Sequence, residues 1–522
     1  MTTKDAEQKS SSGTRNLVLL LGDQHAAADK SLRDFRSDVD VVLQVEAREE
    51  ATYVAQHKLR LTLFFSAMRH THSRLVAEGI NAVYRKLDDA GNCGSIAQEL
   101  ERAVRAFNPA SIVVTKPGDH RVEAALHASC KRMGVPLNVR ADPSFFDSPE
   151  GFTSFASPRK RLRQEDYYRH LRKRENILMS DGKPVQHRWN FDQDNRGSFG
   201  RQGPGLLPPV SATPPSEVTL EVSELVAREF PDAPGDVMAM DYPVTPDDAL
   251  KALDDFIENR LESFGRYQDA MATDEPYLYH SRLSAAINLH LLTPRLAVAR
   301  AVAAFEEGRA PLASVEGFVR QILGWREYVR GIYWQHMPKY ASMNFLSANA
   351  PVPNAYWTGE TEMNCVRQSM RPVLKHAYAH HIQRLMVLGL YAMLFGVDPL
   401  AMHRWHMAMY IDAVDWVSLP NVLGMSQFGD GGIVGSKPYC ASGNYINRMS
   451  DYCRGCRFNA ANATGDEACP VTTLYWDFLE RNKDVLRSNP RMGFQYKNLA
   501  NKSSAEISAI RNQADSHRAA SY

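Results

Sequence analysis

Short apolar or β-branched runs recur through the first third of the chain: 16–21 (NLVLLL), 39–44 (VDVVLQ), 81–86 (NAVYRK), 111–115 (SIVVT) and 136–140 (PLNVR). Between several of them lie helix-period stretches such as 61–78 and 95–107. Strand and helix in alternation predict an α/β domain on a doubly wound parallel sheet. Such a sheet takes its ligands in the crevice at the carboxyl ends of its strands. Two loops leaving predicted strands are polar there: Gly22-Asp23-Gln24 after the first, and 46–50, ending in Glu50, after the second.

From about residue 216 the repeat changes. Val315, Phe318, Val319, Ile322, Leu323, Val329, Ile332 and Tyr333 recur at three- and four-residue intervals, which predicts an amphipathic helix with one core face. The run 385–395 is apolar all round and predicts a helix buried at the centre of an all-α domain. Residues 197–215 hold four Gly and five Pro, which reads as a linker or long surface loop. The expected organisation is a disordered N-terminus (1–15), an α/β domain (16–150), a connector (151–215), a large all-α domain (216–500) and a polar C-terminal tail (501–522).

Length and charge narrow the picture. The 522 residues accommodate two or three domains, each able to bury a core. With 61 Lys+Arg against 60 Asp+Glu, the chain lacks the basic excess of a general nucleic-acid coat. A local patch remains: 159–174 carries eight Arg/Lys around Tyr167 and Tyr168, a mixture able to hold phosphates and stack on bases. A solvated helix face gives the same pattern. The longest apolar run, eleven residues at 385–395, is too short for a membrane span, and the polar start lacks the apolar core of a secretory signal. A cytoplasmic protein is expected.

Candidate chemistry concentrates in the last third. Of seven cysteines, Cys365, Cys440, Cys453, Cys456 and Cys469 fall there, which suggests a metal site rather than disulfides. Cys453-x2-Cys456 and Cys469-Pro470 supply three thiolates, and Cys365 and Cys440 compete to be the fourth. Zinc and a 4Fe-4S cluster both fit this spacing. The segment 376–406 carries five His. His380 and His381 are expected in the middle of an apolar helix, where buried imidazoles need partners or a task. Arg384 follows on that helix and needs a carboxylate, with Asp412 and Asp415 as candidates. In 279–284, the hydroxyls of Ser281 and Ser284 open a helix in a way that suits a phosphate.

Several long segments together resemble the photolyase/cryptochrome family, and within it the prokaryotic iron–sulfur branch that includes bacterial (6-4) photolyases. They are LGDQ (21–24), SAMRH (66–70), RWNFD (188–192), GWREY (324–328), AYAHHIQRLM (377–386), LPNVLGMSQF (419–428) and SGNYINRMSDYC (442–453). The resemblance extends from about residue 16 to about 500. It implies an antenna domain followed by a helical domain that binds bent FAD. It also implies a 4Fe-4S cluster on Cys365, Cys453, Cys456 and Cys469, with Cys440 uninvolved. Ser281, Leu283 and Ser284 match the stretch holding the FAD phosphates, and Arg384 and Asp412 an ion pair beside the isoalloxazine ring. Ser418 stands where the family places the residue facing flavin N5, often Asn. His381 matches the active-site histidine of (6-4) photolyases, with His380 beside it, and Glu327 and Tyr439 match substrate-pocket positions. Asp23, Gln24 and Glu50 match the surroundings of a 6,7-dimethyl-8-ribityllumazine antenna. Trp405 and Trp357 match two stations of an electron path, whose third is not evident because His406 follows Trp405.

The activity implied is light-driven repair of (6-4) photoproducts by a monomer acting on DNA containing UV lesions. His381 would be protonated at working pH and serve as proton donor. A cryptochrome-type photoreceptor, for which the polar tail leaves room, is the alternative. An iron–sulfur nucleic-acid-binding module would explain only the cysteines.

Overall fold

The computed structural model describes residues 13–25, 30–200 and 202–521; the disordered segment expected at the N-terminus lies, up to Ser12, outside the described residues. Five strands, β1 (Asn16–Leu19), β2 (Asp40–Val45), β3 (Ala82–Arg85), β4 (Ser111–Thr115) and β5 (Leu137–Arg140), form one parallel sheet in the order β3-β2-β1-β4-β5. In register, Asn16 lies beside Asp40 on one side and Ser111 on the other. Successive side chains of β1 leave the sheet on opposite faces. Leu17 and Leu19 join Leu100 and Leu126 in one core, while Val18 and Leu20 join Leu75 in another. Both faces are therefore covered, as a central parallel strand requires. The covering helices follow the sequence: Lys58–Ala77, Ile96–Phe107 and His120–Met133. Ser95 caps the second through its hydroxyl oxygen, which accepts the Gln98 N–H.

The strand order reverses at β1, so the ligand crevice of this sheet type falls between the ends of β1 and β4. Trp416 from the helical part packs against the loop that follows β4 there. Its backbone N–H donates to Gly118 O, and a Cβ on Gly118 would meet Asp23 Oδ2 at 2.9 Å and Trp416 Cδ1 at 3.0 Å. The sheet's ligand edge is thus a docking seam between the two parts of the chain.

The rest is helical. The expected amphipathic helix is three consecutive pieces: Leu312–Val319, a π-helical stretch Arg320–Arg326, and Glu327–His336. The apolar run expected as a central helix is buried throughout, and it too opens with a π-helical stretch, Arg384–Gly389. A third spans Pro420–Ser426. Widened turns of this kind cluster at functional sites. Here all three line the same cavity.

The structure corrects three sequence expectations. His380 and His381 do not lie mid-helix: the preceding helix ends at His376, Ala377 turns left-handed with φ 51°, and a new helix begins at His381. The polar tail is not free, since Ser504–Ala519 is a helix packed on Pro470–Arg481, with Arg518 Nε donating to Phe395 O at 3.0 Å. The feature that left room for a signalling output is therefore part of the packed molecule. Tyr167 and Tyr168 face the core, and Arg172 is buried donating to the carbonyls of Ile177, Leu178 and Trp189. Arg159, Lys160, Arg161 and Arg163 at the start of that stretch, and Lys173 and Arg174 at its end, stay exposed. No helix among the described residues is long and apolar enough to cross a membrane.

Candidate active site

A cavity of about 1640 Å³ opens in the helical part. That exceeds the roughly 300–1,000 Å³ of most small-molecule sites, so a large ligand fits with space left over. Its walls bring together Ser281, Leu283, Ser284, His380, His381, Arg384, Trp405, Asp412, Ser418 and Tyr439. Arg161, Arg163, Arg196, Arg448 and Arg491 line it too and are exposed, which marks its open end as basic.

The electrostatic centre is one ion pair. Arg384 Nη1 donates to Asp412 Oδ1 at 2.9 Å, Arg384 Nε to Ala379 O at 2.6 Å, and Ser284 Oγ to Asp412 Oδ2 at 2.6 Å. Asn288 Nδ2 fixes the Asp412 backbone carbonyl at 2.8 Å. Burial alone would raise the Asp412 carboxyl, but Arg384 and the Ser284 hydroxyl hold it below its usual range. Asp415, the other candidate partner, is used elsewhere, bonding His403 at 3.0 Å and Tyr333.

Imidazoles line the wall beside this pair. His280, which the sequence reading passed over, stacks on His380 with centroids 4.4 Å apart and planes 12° apart. Burial first, and neighbouring histidines and Arg384 next, lower both His280 and His380. His381 opens to the cavity but stands deep in the protein, where desolvation and Arg384 lower it to about 4. The protein by itself therefore keeps His381 neutral at pH 7, contrary to the protonated form expected.

Buried polar atoms without a partner in the protein collect on these walls: both ring nitrogens of His380, His280 Nε2, His406 Nδ1, the Tyr410 hydroxyl and Ser418 Oγ. Each costs about 1–3 kcal/mol if left unmet, so a polar ligand belongs here. An apolar guest would leave them orphaned.

Two expected site residues lie elsewhere. Glu327 is buried outside the cavity; its Oε2 accepts the Asp147 N–H at 3.1 Å, and burial pushes its carboxyl up to about 7. Its Oε1 stands 3.6 Å from Nη1 of Arg326, which itself lines the cavity wall. Trp357 is 42% exposed on the short helix Ala355–Thr358, whereas Trp405 is buried with Nε1 donating to Tyr356 O at 3.0 Å.

The expected antenna residues lie after the carboxyl ends of β1 and β2. Gln24 is buried, donating to Thr115 O at 3.1 Å and accepting from Leu21 N at 3.3 Å, which ties the ends of β1 and β4. Asp23 lies against Gly118 and Trp416. Glu50 is held by Arg121 through two bonds of 2.9 and 2.7 Å. Arg121 had no motif to announce it.

Cys365, Cys453, Cys456 and Cys469 line one small cavity, and Cys440 does not. Gly443 forms part of the wall, where a Cβ would come within 2.8 Å of the Cys469 sulfur. Among the described residues, no three His, Cys, Asp or Glu side chains stand close enough to share a single ion.

The fold and site define a two-part protein in which a parallel-sheet domain is docked on a helical domain with a deep, basic-mouthed cofactor cavity. Residues 18–242 match the family model described as deoxyribodipyrimidine photo-lyase-related protein. A (6-4) photolyase of Agrobacterium fabrum is 46% identical over 481 residues, covering 92% of this chain and 94% of that protein. A crystal structure of a bacterial class III photolyase from Agrobacterium tumefaciens superposes with a TM-score of 0.57 at 14% identity, covering 92% of this chain and 99% of that one. A Synechocystis cryptochrome gives 0.52 at 15% identity, covering 79% and 82%. The chain belongs to the photolyase/cryptochrome family, alongside the bacterial (6-4) photolyases.

Proposed function

We propose that this protein repairs (6-4) pyrimidine-pyrimidone photoproducts in DNA by light-driven electron transfer from reduced FAD. The observation that carries the reading is the set of unpartnered buried polar atoms around the Arg384–Asp412 pair, with His381 open to the same space. FAD, when bound, supplies the light-excited electron donor.

The residues of the chain do the rest. Ser281, Leu283 and Ser284 hold the phosphate end, and Arg384 and Asp412 orient the ring edge; Ser418 Oγ, without a partner in the protein, is the group offered at the N5-facing position. The exposed arginines at the mouth bind DNA phosphates, and the remaining cavity accepts the flipped lesion beside Tyr439. His381, with His380 beside it, holds the proton that must pass between the two pyrimidines of the lesion. Burial and Arg384 oppose that proton, so negative charge arriving with the ligands has to support it.

The four cysteines are read as a 4Fe-4S site. All four line one small cavity, to which Cys365 is brought by the helix Asn364–His376, far upstream of the other three. Cys453→Ala is expected to give insoluble or cofactor-free protein and Cys440→Ala to behave as wild type; a soluble, flavin-loaded, active Cys453→Ala protein contradicts the assignment. A ribityllumazine is proposed as antenna near Glu50, to be identified by fluorescence of the chromophore released on heating. Recovery of a folate or deazaflavin contradicts that. Trp357 at the surface and then Trp405 at the cavity wall are proposed to carry electrons to the flavin.

The function is tested by illuminating reduced, flavin-loaded protein with DNA carrying a defined (6-4) or cyclobutane lesion. Restoration of the (6-4) site in light alone is expected. Restoration of only the cyclobutane site, or of neither, contradicts the reading.

A further inference from the structure

The ring contacts of Trp405 do not lead only towards Trp357. Trp405 lies edge-on to Tyr356, centroids 4.9 Å apart, and Tyr356 stacks on Tyr391 at 6.2 Å with planes 15° apart. All three rings are buried. Tyr391 OH then meets His517 Nε2 at 2.8 Å, and His517 sits on the half-exposed side of the docked C-terminal helix. An aromatic chain thus runs from the cofactor cavity to the C-terminal helix. Apart from Trp405, none of its members was a candidate in the sequence.

We propose that Tyr391 is the terminal electron donor of a second branch leaving Trp405, with His517 as the acceptor of its phenolic proton. The proposal rests on the reading of Trp405 as the exit from the flavin cavity. Trp405 would give one electron to the photoexcited oxidised flavin and become a cation radical. One electron then passes from Tyr391 to Trp405 through the Tyr356 ring. The phenolic proton moves along the hydrogen bond to His517 Nε2. Trp405 is restored, Tyr391 becomes a neutral phenoxyl radical, and His517 becomes a cation.

Hydrogen-bond partners explain why the hole stops at Tyr391. A phenol loses its proton readily once oxidised, so the tyrosine with a base at its oxygen is the one that traps the hole. Tyr356 donates to Leu388 O at 2.5 Å, a backbone carbonyl that cannot take the proton. Tyr410 also touches Trp405, at 5.6 Å, but its hydroxyl has no partner and the Arg384 cation lies 4.0 Å over its ring, which opposes oxidation. Tyr410 also packs on the His406 ring, centroids 4.2 Å apart, but of the three hydroxyls only that of Tyr391 bonds an imidazole nitrogen. Burial first, and Arg518 next, lower His517 to about 4, so it is a weaker base than a free imidazole but neutral at pH 7, with its Nε2 in place to take the proton of an oxidised phenol.

The test is radical spectroscopy on full-length, flavin-loaded oxidised protein under blue light, with flavin content matched. Wild type is expected to show a neutral tyrosyl radical that forms more slowly in D2O. Tyr391→Phe, which keeps the ring and removes the hydroxyl, and His517→Phe are each expected to lose it, while Trp357→Phe retains it. A wild type showing only tryptophanyl radicals, or a Tyr391→Phe protein that keeps the tyrosyl signal, overturns the proposal. Trp405→Phe separates the two levels: continued photoreduction in that variant overturns the reading of Trp405 as the exit. Photoreduction and tyrosyl radical lost together support both.

Discussion

The sheet crevice and the helical cavity each hold an arginine–carboxylate pair at hydrogen-bond distance, yet the two pairs stand in opposite surroundings. Arg121 and Glu50 meet at 2.7–2.9 Å with side chains 44% and 29% exposed. Arg384 and Asp412 meet at 2.9 Å with side chains 17% and 9% exposed. Around the first pair, the neighbouring expected ligand residues are used by the protein itself: Gln24 ties two strand ends and Asp23 packs at the seam with Trp416. Around the second, imidazole, phenol and hydroxyl groups are buried without partners. Polar groups satisfied internally hold a fold together; buried ones left unmet are tolerated where a ligand will meet them.

The largest expected effect comes from breaking the buried pair. Asp412→Asn strands the Arg384 guanidinium and is expected to cost about 3–5 kcal/mol, with loss of flavin. Denaturant unfolding and the visible absorption of the purified variant check both. Stability and flavin content like wild type would place Asp412 outside the cofactor site.

Acidification gives a smaller effect of mixed sign. His280, His380, His381 and His406 all lie below their ordinary value, chiefly through burial. Between about pH 6.5 and 4 the unfolded chain binds protons that the folded cavity refuses, so stability falls as pH drops through that window. In the crevice, Asp119 is raised by burial and by Asp415, so it binds a proton more readily when folded and pulls the other way. Asp119→Asn is therefore expected to steepen the acid loss measured by unfolding at pH 7 and pH 5. A shallower slope would reverse the assignment.

The exposed pair gives the smallest effect. Glu50→Gln is expected to cost about 0.2–1 kcal/mol and to leave flavin content unchanged. A loss as large as that of Asp412→Asn would erase the difference between the two regions.

Strand order and cavity depth were only partly legible in the sequence. Alternating and continuous apolar runs placed all five strands to within a residue or two, because a central strand such as β1 must be apolar on both faces. The reversal at β1 was not readable, and neither was the packing of Trp416 against Gly118 beside it. Arg384, Asp412 and the four cysteines stood out because buried charge and clustered thiols are rare and demand partners. The π-helical stretches left no period of their own: a widened turn keeps the apolar count while shifting the register of the residues that follow. His280 and Tyr391 acquire meaning only from rings contributed by distant segments, His380 and His517.

The central claim is that the helical cavity holds both an electron source and a proton for the lesion, and His381 is where the proton is held. The direct measurement is light-driven restoration of a (6-4)-containing oligonucleotide by wild type and His381→Asn at matched flavin content. Wild type is expected to repair it. The variant, with flavin binding and DNA affinity unchanged, is expected to fall by roughly 10²–10⁴-fold, the usual contribution of a positioned acid or base. Equal repair by the two proteins would contradict the account.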